Sequence, residues 1–99
     1  MKKLFISQHM KGKTDEEILE VRAKAIESAE RELGEPVAVI NSFFQNTPHD
    51  ARPLWYLSKS LELLSTADVA YFAPGWKNAR GCKIEHICAE QYGINIVEA

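Results

Sequence analysis

Cysteine is scarce: Cys82 and Cys88 are the only thiols in 99 residues. Two cannot make a disulfide framework, and with no second ligand pair they make no zinc site. Both are expected as reduced thiols that pack as small side chains, with no metal bound. No apolar run approaches the roughly 20 residues that span a bilayer. The start, Lys2-Lys3-Leu4-Phe5-Ile6, is basic, but its apolar stretch is too short for a signal peptide. No membrane association and a cytoplasmic location are therefore expected. A surplus of one charge is also missing. Twelve Lys+Arg face fourteen Asp+Glu, a net charge of −2, which argues against a nucleic-acid polymer as partner. Repeats, linkers and low-complexity tracts are absent. What remains is 45% apolar, 26% charged and 9% aromatic, the composition of a globular protein forming one domain over residues 1–99.

Strand and helix signals alternate along the chain. Leu4-Phe5-Ile6 is a short apolar run ending in polar Ser7-Gln8-His9, as in a strand buried on both faces. After the Lys11-Gly12-Lys13 turn, Thr14-Asp15-Glu16-Glu17 is a capping box. Ile18, Val21, Ala25, Ala29 and Leu33 then recur at helical spacing, and Gly34 is placed to stop the helix. Pro36 to Ile40 is a second strand, and Asn46-Thr47-Pro48-His49-Asp50 is loop chemistry. Pro53 opens a second helix whose apolar stripe is Leu54, Leu57, Leu61 and Leu64, ending near Ala67. Asp68 to Ala73 is a third strand. A polar loop from Lys77 to Gly81 leads to a third helix over about Cys82 to Tyr92, and Ile94 to Val97 is the last strand. The order β-α-β-α-β-α-β with right-handed crossovers predicts a small Rossmann-like (flavodoxin-like) α/β sandwich of three layers, with helices on both faces of a four-stranded parallel sheet.

Such sheets bind ligands beyond the carboxyl ends of their strands, here Ser7 to Lys13, Asn41 to Phe44, and Pro74 to Glu85. Glu85 stands out, since its position places it in the first turn of the third helix. There, free N–H groups and the helix dipole favour an ionised carboxylate. It either caps that helix or serves as a nucleophile in a partly dry cleft. Lys11 and Gly12 ahead of the Thr14 cap, and the Lys77 to Gly81 loop with Arg80, form two basic edges suited to a phosphate. Solvated charge accounts equally well for each. Phe43 is placed to stack on a base and Trp76 to wall a pocket, with structural packing as the alternative for both. No phosphate-binding Gly-x-x-x-x-Gly-Lys-Ser/Thr loop is present, and the first loop lacks the Ser/Thr/Gly run of flavin sites. No cofactor is expected. Trp55 and Tyr56 fall on adjacent helix faces, so one of them is expected to meet a partner subunit.

Ala67-Asp68, the strand to Phe72, Pro74-Gly75-Trp76, and Arg80-Gly81-Cys82-Lys83-Ile84-Glu85-His86 together resemble the nucleoside 2-deoxyribosyltransferase superfamily, nearest to a compact branch found in bacteria and phages. Phe5 to Gly12 looks like that family's opening segment. The resemblance implies a nucleoside or nucleotide ligand, cleavage or transfer at its N-glycosidic bond, and Glu85 as the nucleophile. It also implies a homodimer or larger homo-oligomer. Ser7, Gln8, His9, Gly75 and Gly81 would then line the ligand cleft, while Asp68 supports the fold.

Four departures surround the carboxylate. Ser60 stands where the family carries an Asp, and Ala79 where it has Asp or Ser. Phe5 replaces Tyr, and Gln8-His9 replaces Gly-Pro. A hydroxyl at position 60 can hydrogen-bond a sugar but supplies no proton as a carboxylic acid would. His9 is the better-placed substitute acid, because His86 diverges from Glu85 by about 100° on its helix. His86 reads as a surface or subunit-contact residue and His49 as exposed. The alternative to an enzyme is a binding protein that keeps a nucleotide pocket, as a sensor or sequestering module, and has lost efficient chemistry.

Overall fold

The computed structural model describes residues 1–45 and 47–99; the expected loop position Asn46 lies outside the described residues. The chain forms β1 (Lys2–Ser7), α1 (Asp15–Leu33), β2 (Val37–Val39), α2 (Pro53–Leu64), β3 (Val69–Phe72), α3 (Arg80–Gln91) and β4 (Asn95–Glu98), with a 3₁₀ turn at Trp76–Asn78. All strand pairs are parallel and the sheet order is β2-β1-β3-β4. This is the α/β architecture that the alternating pattern predicts, with the order reversing between β1 and β3. No helix is long and apolar enough to cross a membrane among the described residues.

Local chemistry sets the elements. The Thr14 hydroxyl accepts from the Glu17 N–H, and the Glu17 carboxylate accepts from the Thr14 N–H, both at 3.1 Å, closing the capping box. α1 stops at Gly34, whose φ of 70° is the left-handed conformation glycine adopts without penalty. Strand alternation then sorts the core into two layers. Leu4, Ile6, Val69 and Tyr71 face α1 and pack on Ala25 and Ala29. Phe5, Ala70 and Phe72 face the other way and pack on Leu64 of α2 and Ala89 of α3. Fully burying each large apolar side chain contributes about 1.5–3 kcal/mol. Asp68 accepts from the Lys3 N–H at 2.8 Å, so it ties the start of β3 to β1 as a structural residue.

Several boundaries differ from the sequence reading. β1 is longer than the Leu4–Ile6 run because its first residues pair with β2 at the sheet edge. The 3₁₀ turn and the early start of α3 replace the expected Lys77–Gly81 loop. α2 ends at Leu64 rather than near Ala67. Leu54, expected in its apolar stripe, is 72% exposed, because it faces the open hollow beside residues 48–52 rather than the core.

Candidate functional site

β1 carries the site to the carboxyl edge of the sheet. By the same alternation that turns Phe5 toward α2 and α3, Ser7 faces those helices. Its hydroxyl donates to Glu85 Oε1 at 2.6 Å. Glu85 belongs to a buried stripe of α3 with Cys82 and Ala89, residues three and four apart that share one helix face. Ser60 of α2 brings a second hydroxyl near enough to the carboxyl to favour its charged form. Burial pushes the Glu85 pKa up, and the hydroxyls of Ser7 and Ser60 oppose that rise. Cys82 lies in the same cluster. Burial raises its thiol pKa, a Ser7 hydrogen bond lowers it, and the charge of Glu85 raises it further. Cys82 and Cys88 are both free thiols.

This arrangement corrects the positional reading of Glu85. Because α3 begins at Arg80, Glu85 is its sixth residue and lies in the second turn. Free N–H groups and the dipole act within the first turn. The carboxyl therefore does not cap its helix. Its environment is set by burial and by hydroxyls from two other elements, and the expected preference for the ionised form gives way to an upward shift.

On the α1 side, a cavity of about 330 Å³ opens at the carboxyl ends of β1 and β3. Gln8 and His9 line it after β1, Lys13, Glu17, Ile18 and Val21 from α1 and the turn before it, and Ala73 to Gly75 with Asn78 after β3. Of the expected ligand residues, Gln8, His9 and Gly75 meet here. Ser7 and Ser60 meet instead at Glu85, across β1. Lys11 and Gly12 form an exposed turn in which the Lys13 N–H reaches the Met10 carbonyl at 3.0 Å. Gly12 has a φ of 79°, as a type II turn requires. Arg80 is exposed at the start of α3 beside half-buried Gly81, and neither lines the cavity. The two loops expected as basic edges of one cleft thus reach it only through Lys13 and Asn78. A second, open hollow of about 510 Å³ lies between residues 48–52 and the start of α2. Glu85 lines neither hollow.

Arg22 is the residue that the sequence reading passed over. It is 7% exposed, and its guanidinium donates to Gln8 Oε1 at 3.3 Å, Ser42 Oγ at 3.2 Å and the Ile40 carbonyl at 3.1 Å. Gln8 in turn donates to the Ile18 carbonyl at 3.2 Å. One cation thereby braces β1, α1 and the segment after β2 at the cavity floor. Burial among neutral acceptors lowers its pKa. The signal was available: Arg22 follows Ile18 by four and precedes Ala25 by three, on the apolar stripe of α1.

The aromatic residues pack within the chain. Trp76 stacks on the His86 ring with centroids 4.1 Å apart and planes 9° apart. His86 also meets Phe72 edge-on at 4.7 Å, and its Nε2 lies 2.6 Å from Glu98 Oε1 on β4. Trp76 therefore does not wall the cavity, and His86 is an internal packing residue rather than a free surface group. Trp55 and Tyr56 are both half-buried. They contact each other at 5.1 Å and share Phe44 as a neighbour at 6.3 and 6.5 Å. Both pack on Phe44, so neither stands free of the chain, and both keep a part-exposed face, Trp55 at the edge of the second hollow. Phe43 is half-buried outside the cavity lining, and His49 is exposed. Among the described residues, no group of three or more His, Cys, Asp or Glu side chains is placed to hold a metal ion.

No curated protein and no solved structure matches the chain. A family model does: over residues 2–98, covering β1 through β4 with both the Glu85 cluster and the cavity, the chain belongs to DUF4406, a domain of unknown function.

Proposed function

We propose that this protein cleaves the N-glycosidic bond of a nucleoside or deoxynucleotide, or transfers its 2-deoxyribosyl group, with Glu85 as the nucleophile. One observation carries the reading. A buried carboxyl group accepts a hydrogen bond from Ser7 with the Ser60 hydroxyl close by, three residues remote in sequence, at the carboxyl end of β1. In a partly dry site an ionised carboxylate can attack the anomeric carbon and stabilise an oxocarbenium-like transition state. The Ser7 hydrogen bond fixes its orientation, and both hydroxyls favour its charged form. The adjoining cavity supports the ligand class by its place, where the strand order of an open parallel sheet reverses. The phosphate of a nucleotide would meet Lys13 at the α1 N-terminus. A cytoplasmic homodimer or larger assembly belongs to the same reading, supported by the exposed apolar side chains of Leu54, Ile87 and Tyr92.

The test is chromatographic detection of free base from deoxynucleosides and their 5′-monophosphates, with and without an acceptor base. Release by the wild-type protein and none by Glu85→Gln is the expected result. Full release by Glu85→Gln would eliminate the nucleophile. A second reading, a nucleotide-binding module without efficient chemistry, is favoured by the separation of Glu85 from the cavity lining and by its raised pKa. It is supported if calorimetry detects nucleotide binding while no substrate is cleaved.

A further inference from the structure

The cavity and Glu85 lie on opposite sides of β1, yet one stretch of chain serves both. Ala73 to Gly75 and Asn78 line the cavity, and α3, which carries Glu85, starts just beyond them at Arg80. The stretch is bonded to itself. The Trp76 N–H donates to the Ala73 carbonyl at 3.1 Å, the Asn78 N–H to the Gly75 carbonyl at 3.0 Å, and the Ala79 N–H to the Trp76 carbonyl at 3.1 Å. A segment tied in this way shifts as a unit, and its largest side chain is Trp76. Whatever grips the indole therefore sets the cavity wall.

Phe72 meets the indole at 5.5 Å with a tilt of 57°. The His86 ring lies flat on it, 4.1 Å away and 9° from parallel. The same imidazole reaches Glu98 Oε1 on β4 through Nε2 at 2.6 Å, and its side chain is only 16% exposed. His86 thus joins α3, β4 and the turn. A carboxylate only accepts, so Nε2 carries a proton in this pair, and a second proton on Nδ1 makes the imidazolium. That charge strengthens both contacts: it is attracted to the Glu98 carboxylate and to the negative face of the indole. Imidazole exchanges this second proton in the range near neutrality. The charged groups around it are few. Glu98 faces it from β4, and β3 brings the uncharged Phe72. The turn brings Lys77, whose Nζ lies 5.7 Å from the indole centroid. On α3, Lys83 and Glu90 stand one turn away, both exposed, while Glu85 diverges toward Ser7.

We propose that His86 is a proton-operated latch on the cavity wall. As the imidazolium, anchored by Glu98, it clamps Trp76 and holds residues 73–75 and 78 in place; loss of its proton as pH rises frees that wall. The assignment stands on these contacts and not on the chemistry of Glu85.

NMR tests it without a ligand. The His86 ring and the Gly75 and Asn78 amides are followed across about pH 5–9, with hydrogen exchange at the Trp76, Asn78 and Ala79 N–H groups corrected for its intrinsic rise with pH. Protection should fall about 5–30-fold as His86 loses its proton, and the amide shifts should follow the same midpoint. His86→Phe keeps a stacked ring but has no proton to lose, so its protection should be independent of pH. Glu98→Gln keeps an acceptor without the charge and should bring protection at acid pH toward the alkaline level. Glu85→Gln should leave the response intact. A wall that ignores the His86 titration, a His86→Phe variant that keeps the wild-type response, or an unchanged Glu98→Gln would overturn the latch. A response lost in Glu85→Gln would overturn it too, by assigning the titration to that carboxyl.

Discussion

Ser7→Ala removes one oxygen from the most buried hydrogen bond of the site. Ser7 is 1% exposed and Glu85 7%, so water has little room to replace the lost donor. The 2.6 Å separation falls in the range of charge-assisted O–H···O⁻ bonds. A hydrogen bond to a charged group contributes about 1.5–3 kcal/mol and one between neutral groups about 0.5–1.5 kcal/mol. The variant should therefore lose about 1.5–3 kcal/mol where Glu85 is ionised, and about 1 kcal/mol less where it is protonated. One pKa unit corresponds to about 1.36 kcal/mol, so the same substitution should move the Glu85 titration further upward by most of a unit. Urea unfolding at acid and alkaline pH measures the first quantity. Carboxyl-carbon NMR titration of Glu85 measures the second. The cost in a Glu85→Gln background should be small and independent of pH. Equal costs at both pH extremes, together with an unmoved Glu85 titration, would refute the view that Ser7 acts on the charge of Glu85.

Burial raises the native Glu85 pKa, so folding takes up a proton at this site. Its contribution to stability is fully present below the unfolded carboxylate pKa and is lost as pH rises through the native one. Relative to wild type, Glu85→Gln should thus gain stability with rising pH across that window and level off above it; a difference that stays flat would reject the shift. Arg22→Met strips donors from Gln8, Ser42 and the Ile40 carbonyl and should cost about 1–3 kcal/mol in urea unfolding, with NMR shifts concentrated at the cavity rim. An unperturbed rim would show that the guanidinium does not brace it. Thr14→Ala opens the capping box and should cost about 1 kcal/mol, read as a fall in Tm of about 4–8 °C; no fall would remove the cap as a stabilising element.

How far the sequence reaches depends on whether the relevant interaction is local. The capping box at Thr14, the stop at Gly34, the apolar stripe of α1 and the alternating residues of β1 and β3 all act over a few residues. Together with the handedness of parallel crossovers, they specify the four-stranded sheet with helices on both faces. Even the burial of Glu85 was encoded in its spacing from Cys82 and Ala89. Leu54 shows the limit: its spacing matches the stripe of α2, yet whether a helix turn lies over the sheet depends on where the helix sits.

What only the tertiary structure decided is which side chains meet. Ser7, Ser60 and Glu85 come together because β1, α2 and α3 converge at one sheet edge, and this turned an expected cap into a buried carboxyl with a raised pKa. Convergence also drew His86 onto Trp76 and Glu98, packed Trp55 and Tyr56 against Phe44, and set Arg22 beneath Gln8 and Ser42. The sequence by itself determined the elements and their faces, since period and capping are local energies. The site's protonation, its cavity and its bracing cation depend on desolvation and on contacts between distant residues, which exist only once the layers have packed.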